Sequence, residues 1–296
     1  MKNSSLAVAG ATLLTGRLLA AAQENELLGL QLYTVRDDME KDPVGTLKQL
    51  ADMGFKNVEH ANYVDRKFYG QSAVEFKKTL DDFGLKMPSG HTVMGKQHWD
   101  QSKNDFTDAW KYTVEDAAVM GQHFVISPWL DESMRANMDD FKRYMDVFNA
   151  SGELCKKSGM KFGYHNHDFE FNTQLDGKRL YDLILQYTNP SLVIQQMDMG
   201  NMYGAGGRAL DLVKQYPGRF ASMHVKDEIK SSQAGEMGGY ESTILGRGVI
   251  PVKKVIDAGR ESGGTTDFLI EQESYQDQTP LECAKEDYGI MKKWGY

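Results

Sequence analysis

From Leu27 onward the chain alternates short apolar or β-branched runs with longer stretches whose apolar residues recur at helical spacing. Strands are expected at 28–33, 57–60, 86–91, 123–129, 161–165, 192–198, 220–227 and 267–273. Helices are expected at 43–53, 72–83, 105–120, 138–157, 179–187, 208–216, 251–261 and 280–294, with Pro43 where a first helical turn tolerates it. Strand and helix thus alternate eight times, with no doubled strand, no hairpin signal and no Pro/Gly/Ser-rich linker. That order predicts an α/β fold, a single parallel (β/α)8 barrel, with a doubly wound open sheet as the competing arrangement. No sequence repeat at a spacing of roughly 20–50 residues recurs, which excludes a solenoid.

Polar residues interrupt this pattern where strands end. The run Lys161-Phe162-Gly163-Tyr164 breaks into His165, Asn166, His167 and Asp168, with Glu170 close behind. Glu59 and His60 end the second strand, His91 the third, Asp198 the sixth, His224, Lys226 and Asp227 the seventh, and Glu271 and Glu273 the eighth. Five of the seven histidines fall in such places. A single histidine there often only hydrogen-bonds a loop, but burying so many ionisable groups is costly unless they pair or bind a cation. Barrel sites assemble at the carboxyl ends of strands, so the set reads as one site. His165, Asp198, His224 and Glu271 offer nitrogen and oxygen donors without thiolate, which suits Mn2+, Zn2+, Co2+ or Fe2+ and does not choose among them. Asp227 and Asn166 are candidates to orient the imidazoles.

Composition narrows the partners. The formal net charge of −8 over 296 residues disfavours a phosphate-tracking nucleic-acid surface and leaves small neutral substrates. Cys155 and Cys283 are the only cysteines, so neither a disulfide framework nor a thiolate zinc site is indicated. The glycine clusters at 203–207 and 245–248 lack the strand-first setting of a dinucleotide fingerprint and read as turns. Residues 228–243, polar and glycine-rich, suit a lid or a plain surface loop. Residues 6–22 follow Lys2 as a small, apolar run ending in three alanines. This reads as a secretory signal, similar to the apolar part of a twin-arginine signal without its arginine pair. Thr12, Thr15 and Arg17 interrupt it too often for a stable membrane span. The expected division is an export segment over 1–22 and a barrel over 23–296, giving a periplasmic protein.

Several motifs together resemble the xylose-isomerase-like TIM-barrel superfamily of sugar isomerases and epimerases, which also holds inositol-pathway dehydratases and endonuclease IV. They are Gly29-Leu30-Gln31-Leu32-Tyr33-Thr34-Val35-Arg36, Tyr164 through Glu170, Met197-Asp198-Met199-Gly200-Asn201, His224-Val225-Lys226-Asp227, Leu245-Gly246-Arg247-Gly248 and Ile270-Glu271-Gln272-Glu273. The resemblance implies a divalent metal held by Glu, Asp, His and Glu from the last four strands. Asp198, His224 and Glu271 match three of these positions, and His165 stands where the epimerases carry glutamate.

The expected function is a metal-dependent isomerase or epimerase of an unphosphorylated sugar or keto-sugar, working by proton abstraction beside a carbonyl. The alternative is a lyase or hydratase of 3-keto-glycosides or inososes on the same scaffold, which suits a histidine on the fifth strand. Glu271 or Glu273 is the expected base, with Glu170 and Glu59 behind them, and Lys226 holds a substrate oxygen or donates a proton. Glu59, His60, His91 and His167 are expected to bind substrate, and Tyr33 and Trp129 to pack on a sugar ring. A phosphodiesterase resembling endonuclease IV and a sugar-binding barrel without catalysis are further possibilities, and a homo-oligomer is compatible with the sequence.

Overall fold

A computed structural model describes residues 27–231 and 237–296, so the expected export segment lies outside the described residues. Eight parallel strands close into a barrel: β1 (Leu27–Gln31), β2 (Asn57–His60), β3 (Lys86–His91), β4 (Phe124–Ser127), β5 (Lys161–His165), β6 (Val193–Asp198), β7 (Ser222–Val225) and β8 (Asp267–Ile270). Each strand pairs with its neighbours in chain order, and β8 closes on β1 through the partners Leu28 with Phe268 and Leu30 with Ile270. Closure excludes the open sheet. All six residues of β6 are buried, as expected where helices cover one face and the barrel interior the other.

The principal helices are α1 (Pro43–Met53), α2 (Ala73–Asp82), α3 (Asp108–Met120), α4 (Met138–Lys156), α5 (Leu180–Tyr187), α6 (Ala209–Gln215), α7 (Val252–Ala258) and α8 (Pro280–Trp294). Their ends are written locally. Asp42 accepts from the Gly45 N–H ahead of Pro43, and capping boxes Ser72/Glu75 and Thr279/Glu282 start α2 and α8. Gly54 ends α1 at φ 112°, a conformation that strains any residue with a Cβ. Helix and strand bury large side chains between them, including Trp110, Phe141, Phe148 and Phe162 on one side and Phe55, Phe76 and Phe268 on the other. Cys155 and Cys283 are buried and unbridged. Among the described residues no helix is long and apolar enough to cross a membrane.

The βα loops depart from the expectation of uninterrupted alternation. Small antiparallel ribbons occupy four of them: Tyr63–Val64 with Lys67–Phe68 and Gln71–Ser72, Trp99–Asp100 with Asp105–Phe106, Gln174–Leu175 with Lys178–Arg179, and Asp227–Lys230 with Tyr240–Thr243. Their turns use left-handed residues, Asp65 and Arg66 in the first, Asn104 in the second, and Asp176 with Gly177 in the third. The last ribbon lies in the stretch expected to be a lid or loop, and residues 232–236 are outside the described residues.

Candidate active site at the carboxyl ends of the strands

Because all eight strands run the same way, their polar ends meet at one mouth of the barrel. Alternation along each strand then decides which side chains face inward. Gln196 and Asp198 on β6, His224 and Lys226 along and just beyond β7, and Glu271 and Glu273 just beyond β8 follow that period of two. A cavity of about 1100 Å³ opens above them, with His91, His165, His167, Asn201, Glu271 and Glu273 in its inner wall.

His165, Asp198, His224 and Glu271 each offer a ligand atom within 4.8 Å of the others. Asp198 Oδ1 accepts from the N–H groups of Gly200 and Asn201, both at 2.8 Å. Its Oδ2, fully buried, accepts no well-directed hydrogen bond and is faced by the Lys226 ammonium at 3.1 Å. His165 Nδ1 lies 3.0 Å from Gln196 Oε1, which fixes that nitrogen as donor and turns the Nε2 lone pair toward Asp198 Oδ2, 3.9 Å away. His224 Nε2 donates to Glu59 Oε1 at 2.6 Å, while Nδ1 faces Glu271 Oε2 at 3.0 Å. Two carboxylates and two imidazoles converging within 4.8 Å suit a divalent cation, which would displace the proton between His224 Nδ1 and Glu271.

The residues that orient the imidazoles are Glu59 and Gln196, correcting the expectation for Asp227 and Asn166. The Asp227 carboxylate collects the N–H groups of Glu228, Gly246, Gly248 and Ile250. Gly248 is needed there, because a Cβ would stand 2.3 Å from Asp227 Oδ1. The turn at 245–248 therefore anchors the loop after β7. Asn166 bridges backbones, exchanging hydrogen bonds with the N–H and C=O of Asp198.

Lys226 is buried among carboxylates. Its Nζ lies 3.1 Å from Asp198 Oδ2, 2.8 Å from Glu271 Oε2 and 3.0 Å from Asn201 Oδ1, and it also bonds Glu273. Burial alone would lower its pKa, but Asp198, Glu271 and Glu273 outweigh that and hold it well above the usual lysine value. Burial is again opposed at His224, where Glu271 and Glu59 raise the pKa to about 10. At the two histidines of and after β5 burial wins: His165 is pushed well below the usual histidine value and His167 down to about 4, so both imidazoles are neutral.

Other expected site residues divide. Tyr33, Trp129 and Glu273 line the cavity with His91 and His167, and Trp129 meets the His167 ring edge-on at 5.4 Å. Glu59 lies beneath them, bonded to Gln31, Ser89, Gln196 and His224. Glu170 is buried between the Tyr164 hydroxyl and the His167 N–H, and burial pushes its pKa up to about 7. Its place is behind His167, not in the cavity wall. His60 points the other way from Glu59, packing on Phe68 at 4.8 Å, and Gly90 leaves the space its ring fills. The structure does not bring His60 to the cavity. Gln196 and Asn201 had no role in the sequence reading, although Gln196 shares the inward period of Asp198.

A sequence model described as xylose isomerase-like TIM barrel matches residues 47–294. The chain belongs to that family. An inosose dehydratase of Clostridium perfringens is 29% identical over 174 residues, which cover 53% of this chain and 56% of that protein. The match thus spans little more than half the length of this curated relative. A sugar phosphate isomerase/epimerase from Parabacteroides distasonis superposes with a TM-score of 0.76 at 23% identity, covering 90% of this chain and 94% of that one. The IOLI protein with a binding zinc atom superposes with a TM-score of 0.69 at 14% identity, covering 90% and 97%. Both likenesses are of fold.

Proposed function

We propose that the protein is a metal-dependent carbon–oxygen lyase acting on an unphosphorylated cyclic ketone, a 3-keto-glycoside or an inosose. The observation that carries this reading is the one-sidedness of the carboxylates. At the inner end Glu271 and Glu273 stand with Asp198 and Lys226 on the β6 to β8 side, whereas β3 and β5 contribute His91, His165 and His167; the remaining lining carboxylate, Asp65, lies on the ribbon after β2. Epimerisation by two carboxylates needs one on each face of a carbon. Elimination needs a proton removed from one face and returned to a departing oxygen, which one carboxylate can do. The inosose dehydratase relative supports the same class.

A divalent metal held by His165, Asp198, His224 and Glu271 would polarise the substrate carbonyl and acidify the neighbouring C–H. Glu273, facing the cavity outside that ligand set, takes the proton and hands it to the leaving oxygen. Lys226 keeps its positive charge against Glu271 and Glu273 and holds the base in place. His167 lines the cavity and is assigned to bond a ring hydroxyl, and Glu170 fixes its backbone. Arg66 is the only Lys or Arg among the described cavity-lining residues, and Asp116 engages it in two hydrogen bonds, so no phosphate clamp is present there.

The second reading, isomerisation or epimerisation, draws on His167, a further titratable side chain of the cavity wall beside Glu271 and Glu273, as the group that serves the other face. Mass spectrometry after incubation with 3-keto-glucosides and inososes separates them: elimination gives a lighter unsaturated ketone, and isomerisation gives products of unchanged mass. Only same-mass products would replace the lyase reading with the second. The zinc in the IOLI neighbour makes zinc the first of the four candidate metals to try. Export to the periplasm belongs to the proposal through residues 6–22 alone, and cell fractionation tests it.

A further inference from the structure

We infer that the outer half of the cavity is a subsite for a second ring, carried by the leaving group of the substrate. This rests on the elimination reading. The cavity, about 1100 Å³, is at or beyond the upper end of the roughly 300–1000 Å³ usual for small-molecule sites, and its ionisable cluster occupies only the inner end. Its outer end is walled by Tyr63, Val64, Val93, Gln97 and Tyr112, from the ribbon after β2, the loop after β3 and α3.

Apolar exposure concentrates there. Of the nine large hydrophobic residues left exposed among the described residues, Tyr33, Val64, Val93, Tyr112 and Trp129 all line this one cavity. Tyr112 is 39% and Val64 62% exposed. Scattered exposed hydrophobics need no explanation, but five around one opening do. The wall is also braced. Asp116 on α3 takes Arg66 Nη2 at 2.7 Å and the Tyr63 hydroxyl at 2.7 Å, and the Arg66 guanidinium lies 4.1 Å over the Tyr112 ring. The ribbon after β2 is thereby pinned to α3, and Tyr112, stacked under the guanidinium, lines the cavity. A rigid tyrosine flanked by valines, with the Gln97 amide beside it, suits a ring that has an apolar face and hydroxyl or ether edges. A sugar ring and an aromatic aglycone share that chemistry.

In such a substrate the ketone carbon is separated by one carbon from the carbon bearing the linking oxygen. Glu273 takes the proton from the carbon between, a C=C bond forms, and the C–O bond to the outer ring breaks. The departing oxygen receives the proton, so the outer ring leaves as an alcohol and the inner ring remains as an unsaturated ketone. No oxidant or reductant is consumed.

The test compares the methyl and benzyl 3-keto-β-glucosides, whose leaving alcohols are chemically similar, with a 3-keto-disaccharide, in the metal-loaded wild type and in Tyr112→Ala and Val64→Gln. The subsite predicts a kcat/KM for benzyl or disaccharide at least tenfold above methyl, and a ratio that shrinks at least fivefold in each variant. Preference for benzyl alone identifies an aromatic aglycone, for the disaccharide alone a sugar. Equal kcat/KM for all three, or variants that slow all three alike, overturns the subsite. Calorimetric binding of the unoxidised methyl and benzyl glucosides and the disaccharide gives an answer independent of turnover. If no keto-glycoside is turned over but ring-bearing ligands bind at least fivefold tighter than methyl and lose that advantage in Tyr112→Ala, the elimination reading fails and the subsite stands. Without turnover and without that binding preference, the subsite is overturned.

Discussion

Lys226 and Glu271 form a buried ion pair at the mouth of the barrel, Nζ to Oε2 at 2.8 Å, with side chains 1% and 6% exposed. Asp198 Oδ2 shares the same ammonium, so one cation holds together the oxygens that would also bind a metal. Replacing Lys226 with Met leaves these carboxylates uncompensated. Without metal the variant is expected to lose about 3–5 kcal/mol of stability, and saturating zinc or manganese to restore more than half of it. Urea unfolding with and without metal checks this. An equal loss in both conditions would show that the carboxylates do not share a cation site.

Glu273 has a different position from Glu271: it faces the cavity and is bonded to Lys226 without belonging to the four-ligand cluster. Glu273→Gln is therefore expected to cut turnover about 10²–10⁴-fold while metal content and thermal midpoint stay near wild type. Loss of metal along with activity would move Glu273 into the ligand set.

Glu59 fixes His224 through the 2.6 Å bond to Nε2, and a cation bound at Nδ1 would displace the proton that bridges to Glu271. Glu59→Gln is expected to weaken metal binding about 10–100-fold, as loss of an orienting partner does, and to be visible in a competitive metal titration. Unchanged affinity would confine Glu59 to a structural role.

The barrel was legible because its strands are short, buried and separated by amphipathic helices of ordinary length. The inward set Asp198, His224, Lys226, Glu271 and Glu273 was legible because strand alternation and the common strand direction place such residues together. The same alternation carries His60 away from the site: one position beyond Glu59, it faces outward into Phe68. Gln196 escaped notice because an uncharged amide between Gln195 and Met197 carries no sign of chemistry until its partners, His91, His165 and Glu59, are known. The ribbons in the loops were partly readable. Asp176-Gly177 is a turn dipeptide between Gln174–Leu175 and Lys178–Arg179, but strands of two residues are too short for periodicity to reveal. Asp227 required the fold, since its partners at 246–250 lie about twenty residues away along the chain.

Two buried acids away from the cavity set a pH dependence of stability. Burial pushes Asp267 up to about 7 and Asp287 up to about 8, and each has one oxygen without a hydrogen bond. In the unfolded chain an aspartate ionises near about 3.9. Between that value and about 8 the folded protein keeps protons that the unfolded chain has lost, so stability falls as pH rises through that window and levels off above it. Asp287→Asn keeps an acceptor for the Leu245 N–H and removes the titration. The variant is expected to lose less stability than wild type between about pH 5 and about pH 8 in urea unfolding. Parallel curves would rule out Asp287 as a contributor.

The central claim is that the four-strand site uses a divalent metal to remove a proton beside a carbonyl. Its most direct test is release of tritium from a 3-keto-glucoside or inosose labelled at that carbon, measured on the loaded protein, after exhaustive chelation, and after adding metal back. The account predicts release by the loaded protein, loss on stripping and recovery with zinc, manganese, cobalt or iron. Release that persists at the loaded rate after complete removal of metal would contradict it.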